Sequence, residues 1–176
     1  MRFGQAIAED VLDVLASLSD VDTALIASPS TMDDAKAVAS PGMVIIPADT
    51  PGEAFRGLGE LGYREAALFV PDAPDLPALL AAKPFSGLST ADSAVVPDSR
   101  GGLVALASRL PPPGWLPSTV DMSSVDALHA VRSAAPGPGH LAVAPGWRRL
   151  RQPADVSSLD PALEGWEFTR ALLSGR

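Results

Sequence analysis

Residues 66–77 read AALFVPDAPDLP, an apolar run that leads directly into two carboxylates in a proline-rich turn. An apolar run of this length is typical of a buried strand, and the prolines stiffen the turn that follows it. Residues 92–102 read DSAVVPDSRGG and repeat the plan, with two glycines that let a backbone approach a ligand closely. Because open α/β sheets bind ligands at the carboxyl ends of their strands, the two turns predict a ligand or metal site.

Apolar runs alternate with helical patterns along the rest of the chain. Helices are predicted at 5–18, 31–39, 52–61, 76–82 and 125–133, with two short helical pieces at 156–163 and 166–173. Strands are predicted at 23–28, 43–47, 66–70, 94–97 and 141–144, with a further apolar stretch at 103–107. Strands that alternate with helices over short connections predict an α/β fold with three layers, α/β/α, and a mostly parallel sheet covered on both faces.

The composition suits one domain over residues 1–176. The chain is 47% hydrophobic and only 19% charged, which is enough apolar material for a single core. The 18 prolines and 15 glycines fall between the periodic segments, so we interpret them as turns.

The composition of the chain argues against several classes of function. A net charge of −8 with 13 lysines and arginines disfavours binding to polymeric nucleic acid. The absence of cysteine excludes disulfides, thiolate metal sites and cysteine nucleophiles. Neither a secretory signal nor a membrane-spanning run is expected. Acidic residues appear within the first ten residues, before any apolar run long enough for a signal, and no apolar stretch is long enough to span a bilayer. We therefore expect a cytoplasmic protein.

Two weaker signals favour structural interpretations. Residues 57–62 read GLGELG, the glycine spacing of dinucleotide-binding loops, but they lie after a predicted helix and before a strand. The mechanism needs the opposite order, so a helix C-terminus with its turn is expected. His129 and His140 have no second ligand at a useful spacing and are expected to be structural or exposed.

Asp72 and Asp75 have two interpretations. As carboxylates after a buried strand they would face the ligand crevice, where Mg²⁺ takes one or two such oxygens together with substrate phosphate. Alternatively, Asp75 caps the helix that follows, and Asp72 accepts hydrogen bonds from amides of the turn. The sequence favours capping for Asp75 and leaves both roles open for Asp72.

Arg148, Arg149 and Arg151 are the densest positive charge in this acidic chain and follow the last predicted strand. They would suit a phosphate held by forked hydrogen bonds. A solvated surface loop is the alternative, and the sequence slightly favours it.

Several segments together resemble the nucleotide-diphospho-sugar transferase superfamily, which has a GT-A-like fold. The chain is most similar to uncharacterised bacterial glycosyltransferase-like proteins related to the cofactor guanylyltransferases. Residues 71–77 resemble that group's Ser-Asp-Cys-Pro-Asp-Leu-Pro turn, and residues 97–102 resemble its turn of proline, acids and paired glycines. Residues 115–119, WLPST, and residues 9–12, EDVL, resemble its tryptophan segment and its first helix.

The resemblance implies a nucleotidyltransferase-like site. Asp72 would bind a metal, with Mg²⁺ as the cofactor. The other ligand-binding residues would be Asp75, Asp98, Arg100, Gly101, Gly102, Arg149 and Arg151. Gly101 and Gly102 would admit the substrate backbone or sugar, and Arg149 or Arg151 would replace the missing metal charge. The ligand would be a small phosphorylated molecule, a nucleotide or a nucleotide sugar.

Two departures from the family weaken that expectation. The family begins with a strand and a nucleotide-binding loop, and this chain is expected to lack both and to open at the first helix. Where the family has Asp-x-Asp-Thr-Pro near its end, residues 149–155 read RLRQPAD, so arginine stands in place of a carboxylate. A single remaining carboxylate would make a weak Mg²⁺ site.

Two functions therefore remain open. The first is a nucleotidyltransferase- or glycosyltransferase-like protein of unknown substrate, with weakened or lost catalytic activity. The second is a non-catalytic binding or assembly module that keeps only the transferase fold, such as a homodimer that covers the sheet region left exposed by the absent strand. The upstream reading frame would bear on both, because a strand and a loop rich in glycine or basic residues encoded there would supply the missing nucleotide grip.

Overall fold

The computed structural model describes residues 2–175. Its helices are α1 (Phe3–Ala16), α2 (Met32–Val38), α3 (Pro51–Glu60), α4 (Ala78–Ala81), α5 (Lys83–Leu88), α6 (Ala127–Ala134) and α7 (Glu167–Leu173), with a 3₁₀ helix at Pro153–Ser158. Its strands are β1 (Ala24–Ala27), β2 (Val44–Pro47), β3 (Glu65–Phe69), β4 (Ser93–Pro97), β5 (Leu103–Arg109) and β6 (Leu141–Val143). Each predicted segment overlaps one of these elements, although the piece predicted at 156–163 is a 3₁₀ helix that lies earlier, at Pro153–Ser158.

Two local signals show why the elements begin and end where they do. Thr50 caps α3 by accepting a hydrogen bond from the Glu53 amide, and Glu53 accepts one from the Thr50 amide in return, which satisfies two otherwise unpaired donors. At the other end Gly62 has φ 94°, so the GLGELG segment ends the helix as predicted.

The strands form two separate sheets. β1 and β2 pair in parallel, and the other four strands form a sheet in the order β3-β5-β4-β6. β4 and β6 are parallel, whereas β5 is antiparallel to both of its neighbours. The short turn between β4 and β5 explains this exception to the parallel pattern, because a connection of a few residues can join only antiparallel strands.

Helices cover both faces of the larger sheet, as the three-layer prediction requires. On one face α3 and α6 pack through Phe55 and Val131 against β3, β4 and β5. On the other face α5 packs through Leu88, and α1 and α4 cover the region around Val96 and Ala105. All but the last residue of β4 and of β5 are buried, as expected of strands covered on both sides.

The chain's C-terminal helix is held to its first helix by a buried carboxylate. Asp10 is 1% exposed, and it accepts hydrogen bonds from the amides of Phe168 and Thr169 at 2.9 and 2.8 Å. Burial raises the pKa of Asp10 above its usual value.

Among residues 2–175 no helix has both the length and the apolar character needed to cross a membrane.

Candidate functional site

The predicted site residues are brought together at the carboxyl ends of β3 and β4. The turn after β3 carries Asp72 and Asp75, and the turn after β4 carries Asp98 and Arg100. The segment at residues 147–151 lies across both turns. Two main-chain hydrogen bonds hold it there: the Trp147 amide donates to the Pro97 carbonyl at 2.9 Å, and the Leu150 amide donates to the Asp72 carbonyl at 2.7 Å. Three arginines are thereby placed directly against the two acidic turns.

Asp72, the predicted metal ligand, is bound by Arg149. Arg149 donates from Nε to Oδ1 at 2.7 Å and from Nη2 to Oδ2 at 2.9 Å. Its remaining donors reach the carbonyls of Leu103 and Met122 and the hydroxyl of Ser123, all within 3.2 Å. A guanidinium has five N–H donors, so every donor of this 5% exposed side chain is used.

Asp75 is bound by two neighbouring side chains of the 147–151 segment. Trp147 donates its indole N–H to Oδ1 at 3.1 Å, and Arg148 donates Nε to Oδ2 at 2.8 Å and makes a second contact through Nη2. The Arg148 guanidinium also lies over the Trp147 ring, 4.8 Å from its centroid. Asp75 is 2% exposed and does not cap α4, whose N-cap residue is Pro77.

The second turn is neutralised in the same way. Arg151 Nη2 forms an ion pair with Asp98 Oδ2 at 2.7 Å, although the angles are not those of a hydrogen bond. Arg100 donates to both oxygens of Asp155 at 3.0 and 2.7 Å. The hydrogen bonds from Arg100 lower the pKa of Asp155 to about 2.

The paired glycines are approached closely by this chain itself. A Cβ at Gly102 would collide with Arg151 Nη2, and one at Gly101 would meet the Val125 carbonyl oxygen at 2.5 Å. Gly101 also has φ 105°, which disfavours any side chain. The space beside these glycines, where the sequence predicts a ligand, is therefore filled by the Arg151 side chain and the Val125 backbone.

This arrangement does not fit a Mg²⁺ ion. The four carboxylates of the site are paired one to one with four guanidiniums. Both Asp72 oxygens already accept hydrogen bonds from a buried cation, and a divalent ion there would face that cation at close range. Within the described residues no cluster of three acidic, histidine or cysteine side chains is placed to bind a metal.

Sequence reasoning missed two partners in this network. Trp147 and Ser123 complete the hydrogen bonding of Asp75 and Arg149, and neither is marked by a motif. The only available signal is that Trp147 directly precedes the arginines, since an aromatic beside arginine favours stacking.

A groove of about 830 Å³ lies away from this network, between β1 and β3. Its walls include Ala24–Ile26 of one sheet and Ala66–Phe69 of the other, and none of the paired aspartates and arginines lines it.

Comparisons with known proteins support the fold and nothing finer. No family model and no curated protein matches the chain. A solved structure from Desulfovibrio desulfuricans G20, provisionally described as a nucleotide-diphospho-sugar transferase, superimposes with a TM-score of 0.60 over 98% of this chain and 82% of that one. At 18% sequence identity, the match shows that this chain has the fold of that protein.

Proposed function

We propose that this chain is a nucleotide-diphospho-sugar transferase-like protein that has lost metal-dependent transfer and acts as a non-catalytic module binding another polypeptide. The observation that carries the proposal is the forked pair between Asp72 and Arg149 at the end of β3. The carboxylate best placed to bind a metal is bound instead by a side chain of the same chain.

Metal binding would require Arg149 to leave Asp72. The Arg149 side chain is only 5% exposed and is also held by the Leu103 and Met122 carbonyls. Without Asp72, its Nε donor and one Nη2 donor would be left buried and unpaired. Removing one partner of a buried ion pair typically costs about 3–5 kcal/mol. One carboxylate with water ligands does not supply enough Mg²⁺ affinity to offset that cost.

Phosphate binding would meet the same obstacle. Arg100, Arg148, Arg149 and Arg151 each face one aspartate, so the cluster carries no excess positive charge. A diphosphate would have to displace an aspartate before it gained a forked hydrogen bond. The cluster is therefore suited to fixing the turns in place.

Calorimetry tests the loss of transfer chemistry. The protein is titrated with Mg²⁺ alone and with a panel of nucleoside triphosphates and nucleotide sugars in its presence. We expect no measurable heat of binding across the panel. Binding at micromolar affinity that Asp72→Ala weakens, while the exposed-site control Asp33→Ala does not, would overturn the proposal.

A further inference from the structure

Two unpaired strand edges face the same groove. Among residues 2–175, β1 and β3 are each paired on one side only, and residues of both line the groove of about 830 Å³. Two more hydrophobic side chains at its rim, Val44 and Leu61, are 47% and 56% exposed. The groove therefore combines an apolar lining with two sheet edges.

The edge of β3 offers backbone hydrogen-bonding groups to the groove. The Val70 amide donates to the Val104 carbonyl, and the Leu110 amide donates to the Arg64 carbonyl, which fixes the residues that face β5. In an antiparallel pair the residues between them turn their N–H and C=O groups to the opposite side. Ala67 and Phe69 thus present unpaired donors and acceptors to the groove.

The edge of β1 does the same from the other side. The Ala48 amide donates to the Ala27 carbonyl, so Ala27 faces β2 within the parallel pair. Alternate residues of a strand face opposite edges, which turns the backbone groups of Ala24 and Ile26 toward the groove. The Ile26 side chain is also 37% exposed.

The charges at the groove have one sign. Its charged lining residues are Asp20, Asp22, Asp49 and Glu65, and none of the described lining residues is a lysine or arginine. Tyr63 donates its hydroxyl to Asp22 at 2.9 Å and links the start of β3 to the loop before β1. An apolar occupant with basic ends would match both the walls and the rim.

We propose that this groove binds an extended apolar segment of a partner polypeptide, flanked by lysine or arginine, as a strand between β1 and β3. β1 has four residues and β3 has five, so a segment of this length pairs with both edges. Its binding joins the two sheets into one. The inference rests on the proposed function, for which it names the chemistry of the partner.

The charges argue against a second copy of this chain as the occupant. The chain has a net charge of −8, and its other edge strands, β2 and β6, lie in segments 40–50 and 138–146 that contain no lysine or arginine. Neither segment supplies the basic ends that the acidic rim of the groove favours.

The probe is a fluorescent, terminally blocked peptide with the sequence Lys-Lys-Val-Thr-Val-Leu-Val-Lys-Lys, and binding is measured by anisotropy. We expect micromolar affinity, weakened at least about tenfold when the central valine is replaced by proline, which removes a donor N–H. Replacing the four lysines by glutamates should weaken binding by a similar factor. Equal binding of all three peptides, or no binding of the first, would overturn the proposal.

Amide hydrogen exchange locates the peptide. Bound peptide should protect the amides of Ala24, Ile26, Ala67 and Phe69, and Ile26→Lys should abolish both binding and protection. Val143→Lys, at a 40% exposed position of β6, is the matched control and should bind as the wild type does. Binding without protection of these amides would contradict strand addition. Protection without peptide in a protein that light scattering shows to be a dimer would identify a second copy as the occupant.

These outcomes are separable from those of the calorimetry. A peptide that fails to bind while nucleotide heats stay flat removes this inference and leaves the loss of transfer chemistry standing. Nucleotide binding that depends on Asp72 removes the proposed function whatever the peptide does.

Discussion

Arg149 and Asp72, 77 residues apart in the sequence, form a forked ion pair in which both carboxylate oxygens accept a hydrogen bond. The same Arg149 guanidinium also donates to the carbonyl of Leu103, in β5, and to the carbonyl of Met122. Its hydrogen bonds therefore reach the turn after β3, the strand β5 and the segment at Met122. The pair therefore joins three parts of the chain that are distant in sequence.

Arg149→Met should destabilise the protein by about 3–5 kcal/mol, because it leaves the Asp72 carboxylate unpaired and removes the Arg149 bonds to the Leu103 and Met122 carbonyls, of which Met122 keeps the Leu103 amide as a donor. Chemical denaturation measures the loss. Lys36→Met is the matched control, since Lys36 and Asp33 form an exposed pair at 3.7 Å whose loss should cost no more than about 0.5 kcal/mol. The double variant Asp72→Ala/Arg149→Met should recover part of the loss, and an equal effect of the Arg149 and Lys36 variants would contradict this account.

Gly101→Ala should destabilise the protein by at least about 1 kcal/mol, because Gly101 has φ 105° and its Cβ would lie 2.5 Å from the Val125 carbonyl oxygen. Gly59→Ala serves as the control, since nothing lies within 4 Å of its Cβ and it is within α3. That substitution should be neutral or stabilise by up to about 1 kcal/mol. Thermal unfolding of the two variants distinguishes them, and the reverse ranking would refute the argument.

Asp155 should give the fold a stability that depends on acid pH. Its pKa in the folded protein is about 2, below its ordinary value of 3.8, with the Arg100 hydrogen bonds as the main cause. Because the folded pKa is depressed, this stability is present above pH 3.8 and is lost as the pH falls toward 2. Carbon-13 titration of the carboxyl checks the value, and Arg100→Gln should raise it. A midpoint near 3.8 in the wild type would exclude the effect.

Asp10→Ala should loosen α7 by removing the acceptor for two amides of its first turn, at a cost of about 1–3 kcal/mol. Amide exchange at Phe168 and Thr169 should rise well before exchange in β4 and β5. Asp13→Ala, in the same helix, provides the control and should leave both amides protected. Folding raises the pKa of Asp10, whereas it lowers that of Asp155, so the two groups change the stability in opposite directions with pH. As the pH falls through the folded pKa of Asp10 toward 3.8, the wild type gains stability over the Asp10 variant.

Most of the fold could be predicted from the sequence, because its strands are apolar and its turns carry strong punctuation. β3 and β4 end within one residue of the predicted positions, β4 at Pro97 and β3 two residues before Pro71. α5 was missed because Pro84 reads as the end of a helix, whereas it lies in the first turn of a new one, where its missing N–H costs nothing. β5 runs antiparallel because the turn before it is short. The alternation of strands and helices along the chain predicts a parallel sheet and does not reveal this exception.

The site was predictable in its membership but not in its chemistry. β3 and β4 run in the same direction on either side of β5, so the turns after them meet at one sheet edge and the proximity of Asp72, Asp98 and Gly102 follows from topology. Their partners come from residues 147–151, and only the three-dimensional path of that segment shows which arginine meets which aspartate. The ligand roles predicted for these residues stay predictions, and the pairing argues against them.

The gap between the two sheets also limits how cooperatively the protein can unfold. Within residues 2–175, no main-chain hydrogen bond ties the β1–α2–β2 unit, residues 24–47, to the four-stranded sheet. Under mild denaturant this unit should therefore detach as its own foldon, at a lower free energy than global melting, while the β3–β6 body remains native.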